Sequence, residues 1–350
     1  MAFTQLELNG FRNFTHVTTT LSPRLTLVVG NNGQGKTNLL EAVYLLLQGR
    51  DFRTAVEREA IQQNAIVAQL SGSGELGDHE QNWHHTIPVE GRRSHRGPTV
   101  PLVLFSPDDI YLAKGSPNRR RRFLDLLLTA HDPRYARSLR AYNRVLLQRN
   151  RALKESPYHS LVDDFTPLLV REGLYLWKRR EEAIDAIDPE TRALHDRLAA
   201  GENLSIRLKY GGVEHPIHTE SEFSETIRQR RSDEMARQTT LVGPHRDDLV
   251  MTLGDLDTRV FASQGQLRTT ALSIKLGTFT WLWKETGVRP LILLDDVLSE
   301  LDARRRQSVL QVVSEPGQQT IVTDTEPRSY AALDPLILFV SGGEVSPWKN

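Results

Sequence analysis

Gly30-Asn31-Asn32-Gly33-Gln34-Gly35-Lys36-Thr37 decides the fold, because it matches the phosphate-loop pattern G-x-x-x-x-G-K-[ST] at every fixed position. The apolar run at 25–29 before it predicts a buried strand, and residues 38–48 after it predict a helix closed by Gly49. Glycines let the backbone wrap phosphate oxygens with its N–H groups, and a helix N-terminus adds partial positive charge. The stretch therefore predicts a nucleotide-binding α/β domain.

The loop gives individual side chains separate tasks. Lys36 is expected to reach the β- and γ-phosphates of ATP and to act in catalysis, and the Thr37 hydroxyl is expected to ligate Mg²⁺. We expect Gly30 to Thr37, together with Asn38, to bind the nucleotide. Arg12 and Asn13 are further candidates for nucleotide contact, with a structural turn as the alternative. A chance glycine turn is the alternative for the loop itself, and the flanking strand and helix weigh against it.

A second motif is the run Leu291-Ile292-Leu293-Leu294-Asp295-Asp296, four apolar residues followed by two carboxylates. In a phosphate-loop fold, this strand end places Asp295 beside the Mg²⁺ that Thr37 also binds. Asp296 then faces the γ-phosphate, where a carboxylate can orient or deprotonate the attacking water. A buried strand ending in a solvated acidic turn is the alternative, and the presence of the phosphate loop makes it the weaker one.

The spacing of the motifs predicts an inserted domain, because Lys36 and Asp295 are much farther apart than a minimal nucleotide-binding domain requires. We expect a discontinuous α/β head formed by residues 1–108 and 234–350, and a short α-helical arm formed by residues 109–233. Prolines interrupt the arm at positions 117, 133, 157, 167, 189 and 216. We therefore expect no helix much longer than about twenty-five residues there, which excludes a long coiled coil.

Two further motifs resemble those of the ABC ATPases. Ser263-Gln264-Gly265-Gln266 is similar to their signature motif, and Ser299-Glu300-Leu301-Asp302 is similar to their D-loop. The resemblance implies an ABC-type P-loop ATPase head that forms an ATP-dependent homodimer. In such a dimer the signature residues, with Asp302, complete the ATP site of the opposite subunit. Ser263 at a helix start is also a second anion site on physical grounds.

The chain departs from the ABC pattern at two places. Asp296 stands where transporters carry Glu, so we expect slow hydrolysis by a weak ATPase. Thr323, Asp324 and Thr325 follow the next apolar strand, where transporters carry His. The nucleotide-binding subunit of a transporter remains the alternative function, and a P-loop kinase is a third possibility that would not require the signature-like or D-loop-like residues.

Other stretches resemble a DNA-acting branch of this superfamily. LNGFRNF at 8–14 is similar to the opening of SMC and RecF-type ATPases, and LFSPDD at 104–109, KGSP at 114–117 and TLVGPHRDD at 240–248 extend the likeness. Together they resemble the RecF family of bacterial recombination mediators. The resemblance implies ATP-dependent dimerisation on double-stranded DNA, binding at gapped DNA junctions, and cooperation with RecR and RecO in recombinase loading.

Charge is unevenly distributed, although 44 Lys and Arg balance 44 Asp and Glu over the chain. Residues 110–154 carry twelve basic side chains against two acidic ones. At helical spacing one face carries arginines, and the opposite face carries Tyr135, Leu139, Tyr142, Leu146 and Leu153. The arginines expected to contact DNA phosphates are Arg119, Arg120, Arg121, Arg122, Arg137, Arg140, Arg144 and Arg151. A solvated charged face and an acidic protein partner are the alternatives.

Composition excludes several classes for this 350-residue chain. It has no cysteine, so disulfides and thiolate chemistry are excluded, and no apolar run reaches the length of a membrane span. We therefore expect a cytoplasmic protein that does not bind membranes. His84, His85 and His95 lack the spacing of a metal site, and we expect them in surface loops. His245 and Arg246 receive no chemical role.

Overall fold

The computed structural model describes residues 1–53, 56–155, 160–298 and 301–348. They divide into two units. The first consists of Met1–Asp109, Arg197–Ala199 and the chain from Lys275 onward, and the second of Ile110–Asp196 and Ala200–Ile274. None of the helices in these described ranges is both long and apolar enough to cross a membrane.

Fourteen strands and ten helices are named here in chain order. The strands are β1 (Ala2–Phe11), β2 (Phe14–Thr20), β3 (Leu25–Val29), β4 (Val67–Leu76), β5 (His79–Pro88), β6 (Ser94–Arg96), β7 (Leu102–Phe105), β8 (Leu204–Lys209), β9 (Asp248–Leu253), β10 (Leu256–Asp257), β11 (Leu291–Asp295), β12 (Thr320–Asp324), β13 (Leu336–Ser341) and β14 (Glu344–Pro347). The helices are α1 (Lys36–Gln48), α2 (Ile110–Lys114), α3 (Pro117–His131), α4 (Pro133–Lys154), α5 (Val162–Leu198), α6 (Glu220–Gln229), α7 (Arg231–Arg237), α8 (Thr258–Phe261), α9 (Gln264–Thr286) and α10 (Ala303–Val313).

The first unit contains a six-stranded sheet in the order β14-β13-β3-β12-β11-β7, in which all neighbours are parallel except β13 and β14. Every residue of β3, β11 and β12 is buried. Such continuous burial is typical of parallel strands covered on both faces. Because β3, β12 and β11 are adjacent and parallel, their carboxyl ends meet at one edge, which brings the phosphate loop and the acidic pair together.

A second, antiparallel sheet in the first unit has the order β2-β1-β4-β5-β6. Its inward side chains join α1 and the parallel sheet in one hydrophobic core that includes Phe3, Trp83, Leu40 and Leu293. Phe3 and Trp83 meet edge to face with ring centroids 5.7 Å apart. The head is therefore an α/β unit, as the sequence predicts, with one shared core for both sheets and α1.

The histidines of β5 and β6 correct one expectation. All three histidines lie in strands and not in loops. His84 is exposed as expected, but His85 is fully buried and pairs in register with the half-buried His95. Their Nδ1 atoms lie 3.2 Å apart. The alternation of β5 explains the difference, because neighbouring residues of a strand face opposite sides. No group of three or more ligand-type side chains that could hold a metal ion occurs among the described residues.

The buried His85 predicts a pH-dependent stability. Burial, with a smaller contribution from His95, lowers the pKa of His85 from 6.5 to about 4. The unfolded chain then takes up a proton at a higher pH than the folded chain, so stability present above pH 6.5 is lost as the pH falls toward 4. From pH 7 to pH 5 this one group should cost about 2 kcal/mol of unfolding free energy.

The measurement is chemical denaturation of the wild type, His85→Gln and His84→Gln at both pH values. Between pH 7 and pH 5, His85→Gln should lose less unfolding free energy than the wild type. His84→Gln changes the exposed face of the same strand and should lose as much as the wild type. An equal loss in all three proteins would contradict the assignment.

The second unit is mainly helical and overturns the expected helix length. Helix α5 runs for 37 residues through Pro167 and Pro189. A proline costs a helix one hydrogen bond and a steric clash, but burial of side chains such as Trp177 and Ile184 offsets this cost. Strand β8 also lies within the stretch expected to be helical, and it pairs with β9 in a three-stranded sheet, β10-β9-β8.

The boundary of the units differs from the expected return to the head at residue 234. Residues 234–274 belong to the second unit. Buried ion pairs explain this, because Arg149 of α4 binds Glu234 at 2.6 Å and Arg180 of α5 binds Asp247 at 2.6 Å. The ladder between β8 and β9 adds a further long-range connection. Such contacts join segments distant in sequence, so local patterns could not place the boundary.

Candidate functional site

The loop from Gly30 to Thr37 connects β3 to α1 and has the backbone that its glycines allow. Gly35 has φ 115°, and a Cβ there would lie 2.5 Å from Nδ2 of Asn13. A Cβ on Gly30 would lie 2.3 Å from the carbonyl oxygen of Val340. Glycine is therefore required at both positions, by close approach and by backbone conformation. The loop thus packs directly against Asn13 and Val340, and its glycines give it the backbone freedom that a phosphate cradle requires.

Lys36 turns its amino group back over this loop. Nζ donates to the carbonyl oxygens of Gly30 at 2.7 Å and Asn31 at 3.1 Å, and the side chain is only 7% exposed. The cation thus lies inside the cradle, where an anionic ligand would compensate its charge. The position fits a triphosphate chain in the role that the sequence predicts.

Thr37 and Asp295 come together although they are far apart in sequence. The Thr37 hydroxyl donates to Oδ1 of Asp295 at 2.9 Å, across the edge where α1 begins and β11 ends. Burial raises the pKa of Asp295, while the hydrogen bonds from Thr37 and Thr323 oppose that rise. A buried carboxylate beside a hydroxyl is a donor set of hard oxygens that suits Mg²⁺. These two residues therefore fit the metal role.

Asn13 and Asn38 support the loop from outside. Nδ2 of Asn13 donates to the carbonyl oxygen of Gln34 at 2.8 Å, and Nδ2 of Asn38 donates to Oδ1 of Asn13 at 2.8 Å. The backbone N–H of Gly342 donates to Oε1 of Gln34 at 2.8 Å. Asn13 thus helps to fix the shape of the loop. This is the structural role that the sequence offered as the alternative to nucleotide contact.

Arg12 is engaged elsewhere. Its guanidinium pairs with the fully buried carboxylate of Glu41 on α1 and donates at 2.8 Å to the carbonyl oxygen of Glu59. Arg53 binds the other oxygen of Glu41 at 2.8 Å. Burial raises the pKa of Glu41, and the two arginines oppose that rise. Arg12 therefore neutralises a buried acid, which is a structural role, and its contact with the nucleotide stays a prediction.

The acidic strand end continues with Asp296, which has a left-handed backbone with φ 50°. Its N–H donates to the Thr323 hydroxyl at 2.9 Å. The next position of β12, Asp324, accepts a hydrogen bond from the Tyr330 hydroxyl at 2.6 Å and from the N–H of Thr325 at 2.6 Å. Asp324 is one of the three residues that stand where transporters carry His, and its carboxylate holds the turn after β12.

The D-loop-like residues are only partly described, because Ser299 and Glu300 lie outside the described residues. Asp302 is exposed and caps α10 by accepting a hydrogen bond from the N–H of Arg305 at 2.9 Å. In this conformation the Asp302 carboxylate caps the helix, and because it is exposed it is also accessible to another molecule.

The signature-like residues begin α9 in the second unit. The Ser263 N–H donates to Oε1 of Gln266 at 2.8 Å, and the N–H of Gln266 donates to Oγ of Ser263 at 3.3 Å. This reciprocal pair is a capping box, which fixes the start of the helix. Ser263 and Gln264 are exposed, and Gly265 and Gln266 are half-buried. The capping box uses the N–H groups of Ser263 and Gln266, which leaves those of Gln264 and Gly265 outside it.

The predicted DNA-contacting arginines separate into two groups. The exposed ones are Arg119, Arg122, Arg137, Arg140, Arg144 and Arg151. Arg120, by contrast, is 1% exposed and pairs with Asp248 at 2.6 Å, so it is not available to a phosphate. Arg121 is half-buried and donates to the Asp247 carbonyl oxygen. The run of four arginines therefore has two exposed members, because a helix presents successive residues to different sides.

Sequence reasoning missed the polar network beneath α4. Arg149, fully buried, binds Glu234 and donates to the Thr240 hydroxyl at 2.8 Å. His245 lies 2.7 Å from the Tyr142 hydroxyl through Nδ1, and burial lowers the pKa of His245 to about 4. Helical spacing could have predicted that Arg149 is buried, because that residue lies about 120° around the helix from Arg137 and so away from the arginine face. The sequence offered no signal for its partner.

The class follows from the fold and the site. A phosphate loop, an acidic strand end and a separate signature-like helix start define an ABC-type P-loop ATPase head. Residues 2–95 match the family model described as RecF/RecN/SMC N terminal domain. The head domain of Smc from Pyrococcus furiosus, 17% identical, supports the fold alone, with a TM-score of 0.57 over 99% of this chain and 96% of that one.

Comparison with whole proteins narrows the class. The DNA replication and repair protein RecF of Symbiobacterium thermophilum is 38% identical, over 93% of this chain and 92% of that protein. The protein of that name from Pelotomaculum thermopropionicum is 36% identical, over 99% of this chain and 100% of its own length. This chain belongs to the RecF family of DNA replication and repair proteins. The transporter alternative is accordingly not favoured.

Solved structures agree with this membership. A recombination mediator protein RecF, described as RecF-ATPrS in the RecFOR pathway, has a TM-score of 0.89 and 28% identity, covering 99% of this chain and 98% of that one. The RecF-ATP structure has a TM-score of 0.85 with the same identity and coverage.

Proposed function

We propose that this protein is an ATP-driven switch that dimerises on double-stranded DNA. The observation that carries the proposal is the hydrogen bond between Thr37 and Asp295, next in the chain to the buried Lys36. These groups supply a cation and hard oxygen ligands at one strand edge, as Mg²⁺–ATP requires. The RecF-ATP structure supports ATP as the nucleotide, because its fold matches this chain over nearly its whole length.

The phosphate loop binds and orients the nucleotide in this proposal. Backbone N–H groups around Gly33 and Gly35 face the phosphates, and Lys36 gives up its carbonyl partners to neutralise the β- and γ-phosphates. Thr37 and Asp295 would hold Mg²⁺, which would supply further charge neutralisation. Asp296 orients the attacking water. An Asp side chain is one methylene shorter than Glu, so its reach is reduced and turnover is slow.

The second copy completes the site. Ser263 and the N–H groups after it, from the partner copy, contact the γ-phosphate, and Asp302 lies at the same interface. The exposure of Ser263, Gln264 and Asp302 supports this role, because the N–H groups at a helix start attract anions. ATP then links two copies head to tail, and hydrolysis releases them. ATP binding is thereby coupled to dimerisation.

The exposed arginines of α3 and α4 form the DNA surface in this proposal. Arginine contacts with phosphates give affinity without reading base sequence. The surface is therefore suited to structure-directed binding at gapped junctions. By family membership we extend the proposal to cooperation with RecR and RecO in recombinase loading, and to the cytoplasm as its place of action.

Sedimentation velocity tests the switch as a whole. The protein is run alone, with ATP, with ADP, and with each nucleotide plus duplex DNA over a series of salt concentrations. ATP should produce a dimer that ADP does not, and DNA association should weaken as salt rises. An ATP-bound species that stays monomeric on and off DNA would reject the proposal.

The basic surface predicts a defined loss of DNA affinity. Alanine at Arg137, Arg140 and Arg144 removes three exposed cations from α4. We expect the slope of log K against log salt to decrease in magnitude by about 2 to 3, because each phosphate contact contributes about 0.9. Fluorescence anisotropy with a duplex at several salt concentrations measures this slope.

A matched triple variant tests whether position matters. It carries alanine at three exposed arginines outside α3 and α4: Arg207, Arg228 and Arg237. This control should keep the wild-type slope. If both triple variants lose the same slope, general charge would explain binding and the assignment to α4 would be withdrawn.

A further inference from the structure

Thr323, which the sequence marks only as a departure from the transporter pattern, lies between the two acids of the site. It is fully buried and pairs with Asp295 across the parallel ladder of β11 and β12. Its hydroxyl donates to Oδ1 of Asp295 at 2.9 Å and accepts the N–H of Asp296 at 2.9 Å. One hydroxyl is therefore bonded to both acidic residues at once.

We propose that Thr323 is the positioning residue that sets both acids for Mg²⁺–ATP. This inference rests on the proposed function of the same site. Thr37 and Thr323 both donate to Oδ1 of Asp295, which fixes the plane of the carboxylate. Outer contacts of this kind orient metal ligands and raise metal affinity.

The bond to Asp296 fixes the second acid through its backbone. Asp296 has φ 50°, a left-handed conformation that is unfavourable for a residue with a Cβ and that persists only where surrounding contacts hold it. The Thr323 hydroxyl supplies such a contact at the N–H of that residue. Loss of the Thr323 hydroxyl therefore removes one contact that holds the backbone from which the Asp296 side chain extends.

Threonine suits this position for two reasons. A β-branched side chain is favoured in a buried strand, and valine is β-branched like threonine, so Thr323→Val removes the hydroxyl and keeps the branched shape. Serine keeps the hydroxyl but loses the methyl group. The two variants therefore separate hydrogen bonding from packing, and Thr323→Ala provides a smaller variant without the hydroxyl.

The test measures ATP affinity by equilibrium titration, first with EDTA and then with Mg²⁺, for the wild type, Thr323→Val, Thr323→Ser and Thr323→Ala. In EDTA all four should agree within about twofold, because the hydrogen bonds described for the Thr323 hydroxyl go to Asp295 and Asp296 and not to the phosphate loop. The tightening caused by Mg²⁺ should be about tenfold smaller in the valine and alanine variants and preserved in the serine variant. Turnover at saturating ATP should likewise fall in the valine and alanine variants and be preserved in the serine variant.

Three results would decide against this role. Wild-type tightening by Mg²⁺ in the valine variant would overturn it, and so would equal losses in the serine and valine variants, because serine retains the hydroxyl. A uniform loss of affinity in EDTA would assign Thr323 to folding alone. If the wild type itself fails to bind ATP, the proposed function falls, which the first titration distinguishes from a failure of Thr323.

Discussion

Alanine in place of Lys36 is expected to weaken ATP binding at least about 100-fold, corresponding to about 3 kcal/mol. The amino group is buried within the loop, bonded to the carbonyl oxygens of Gly30 and Asn31. Its removal leaves the triphosphate without its nearest cation. The loss should exceed that of an ordinary hydrogen bond, because a charge-assisted contact in a buried site is stronger. Equilibrium titration with a fluorescent ATP analogue measures the change.

The control for this variant is Lys209→Ala, which removes an exposed lysine from β8 in the second unit. It should bind ATP as the wild type does. Thermal unfolding of both variants shows whether the fold is retained. Wild-type affinity in a folded Lys36→Ala protein would contradict the phosphate loop as the ATP site, and the dimer proposal would fall with it.

Arginine in place of Ser263 is expected to separate ATP binding from dimerisation. The variant should bind ATP with wild-type affinity, because its own phosphate loop is intact. Dimerisation with ATP should weaken by at least about 100-fold, since the large side chain at an exposed helix start excludes the partner's γ-phosphate from the N–H groups there. Sedimentation velocity with saturating ATP measures the dimer, and titration measures the affinity.

Loss of the helix cap must be separated from loss of the interface. Ser263 and Gln266 form a capping box, and removing a serine cap costs about 1 kcal/mol of stability. Ser263→Ala loses the cap without adding bulk, so it should be slightly less stable and retain more dimer than Ser263→Arg. An arginine variant that dimerises normally with ATP would show that the signature-like segment does not meet the partner's nucleotide.

A DNA-contacting role for α4 depends on the buried network beneath it. Arg149 and Glu234 have no exposed surface, and the Arg180–Asp247 pair lies in the same unit. Breaking such a pair from one side leaves a buried charge without compensation, at a cost of several kcal/mol. Variants for DNA binding are therefore best chosen among the exposed arginines, where a change in affinity is not confused with unfolding.

Contiguous stretches allowed most of the site to be predicted. The phosphate loop is one run of eight residues between a strand and a helix, and its backbone conformation follows from the glycines it contains. The proximity of Thr37 and Asp295 could also be predicted, because each stands at a recognisable position of the same fold class. The buried face of α4 followed from periodicity, with Tyr135 and Tyr142 fully buried as expected.

The sequence by itself determined the phosphate loop, the acidic strand end, the α/β head and the basic excess of residues 110–154, because each depends on residues that are neighbours in the chain or on one helix face. Only the tertiary structure decided that Arg120 is buried against Asp248, that α5 continues through two prolines, and that Thr323 bridges both acids. These outcomes depend on partners distant in sequence. The burial energy and hydrogen bonds that such partners supply exceed local preferences, and no local pattern encodes them.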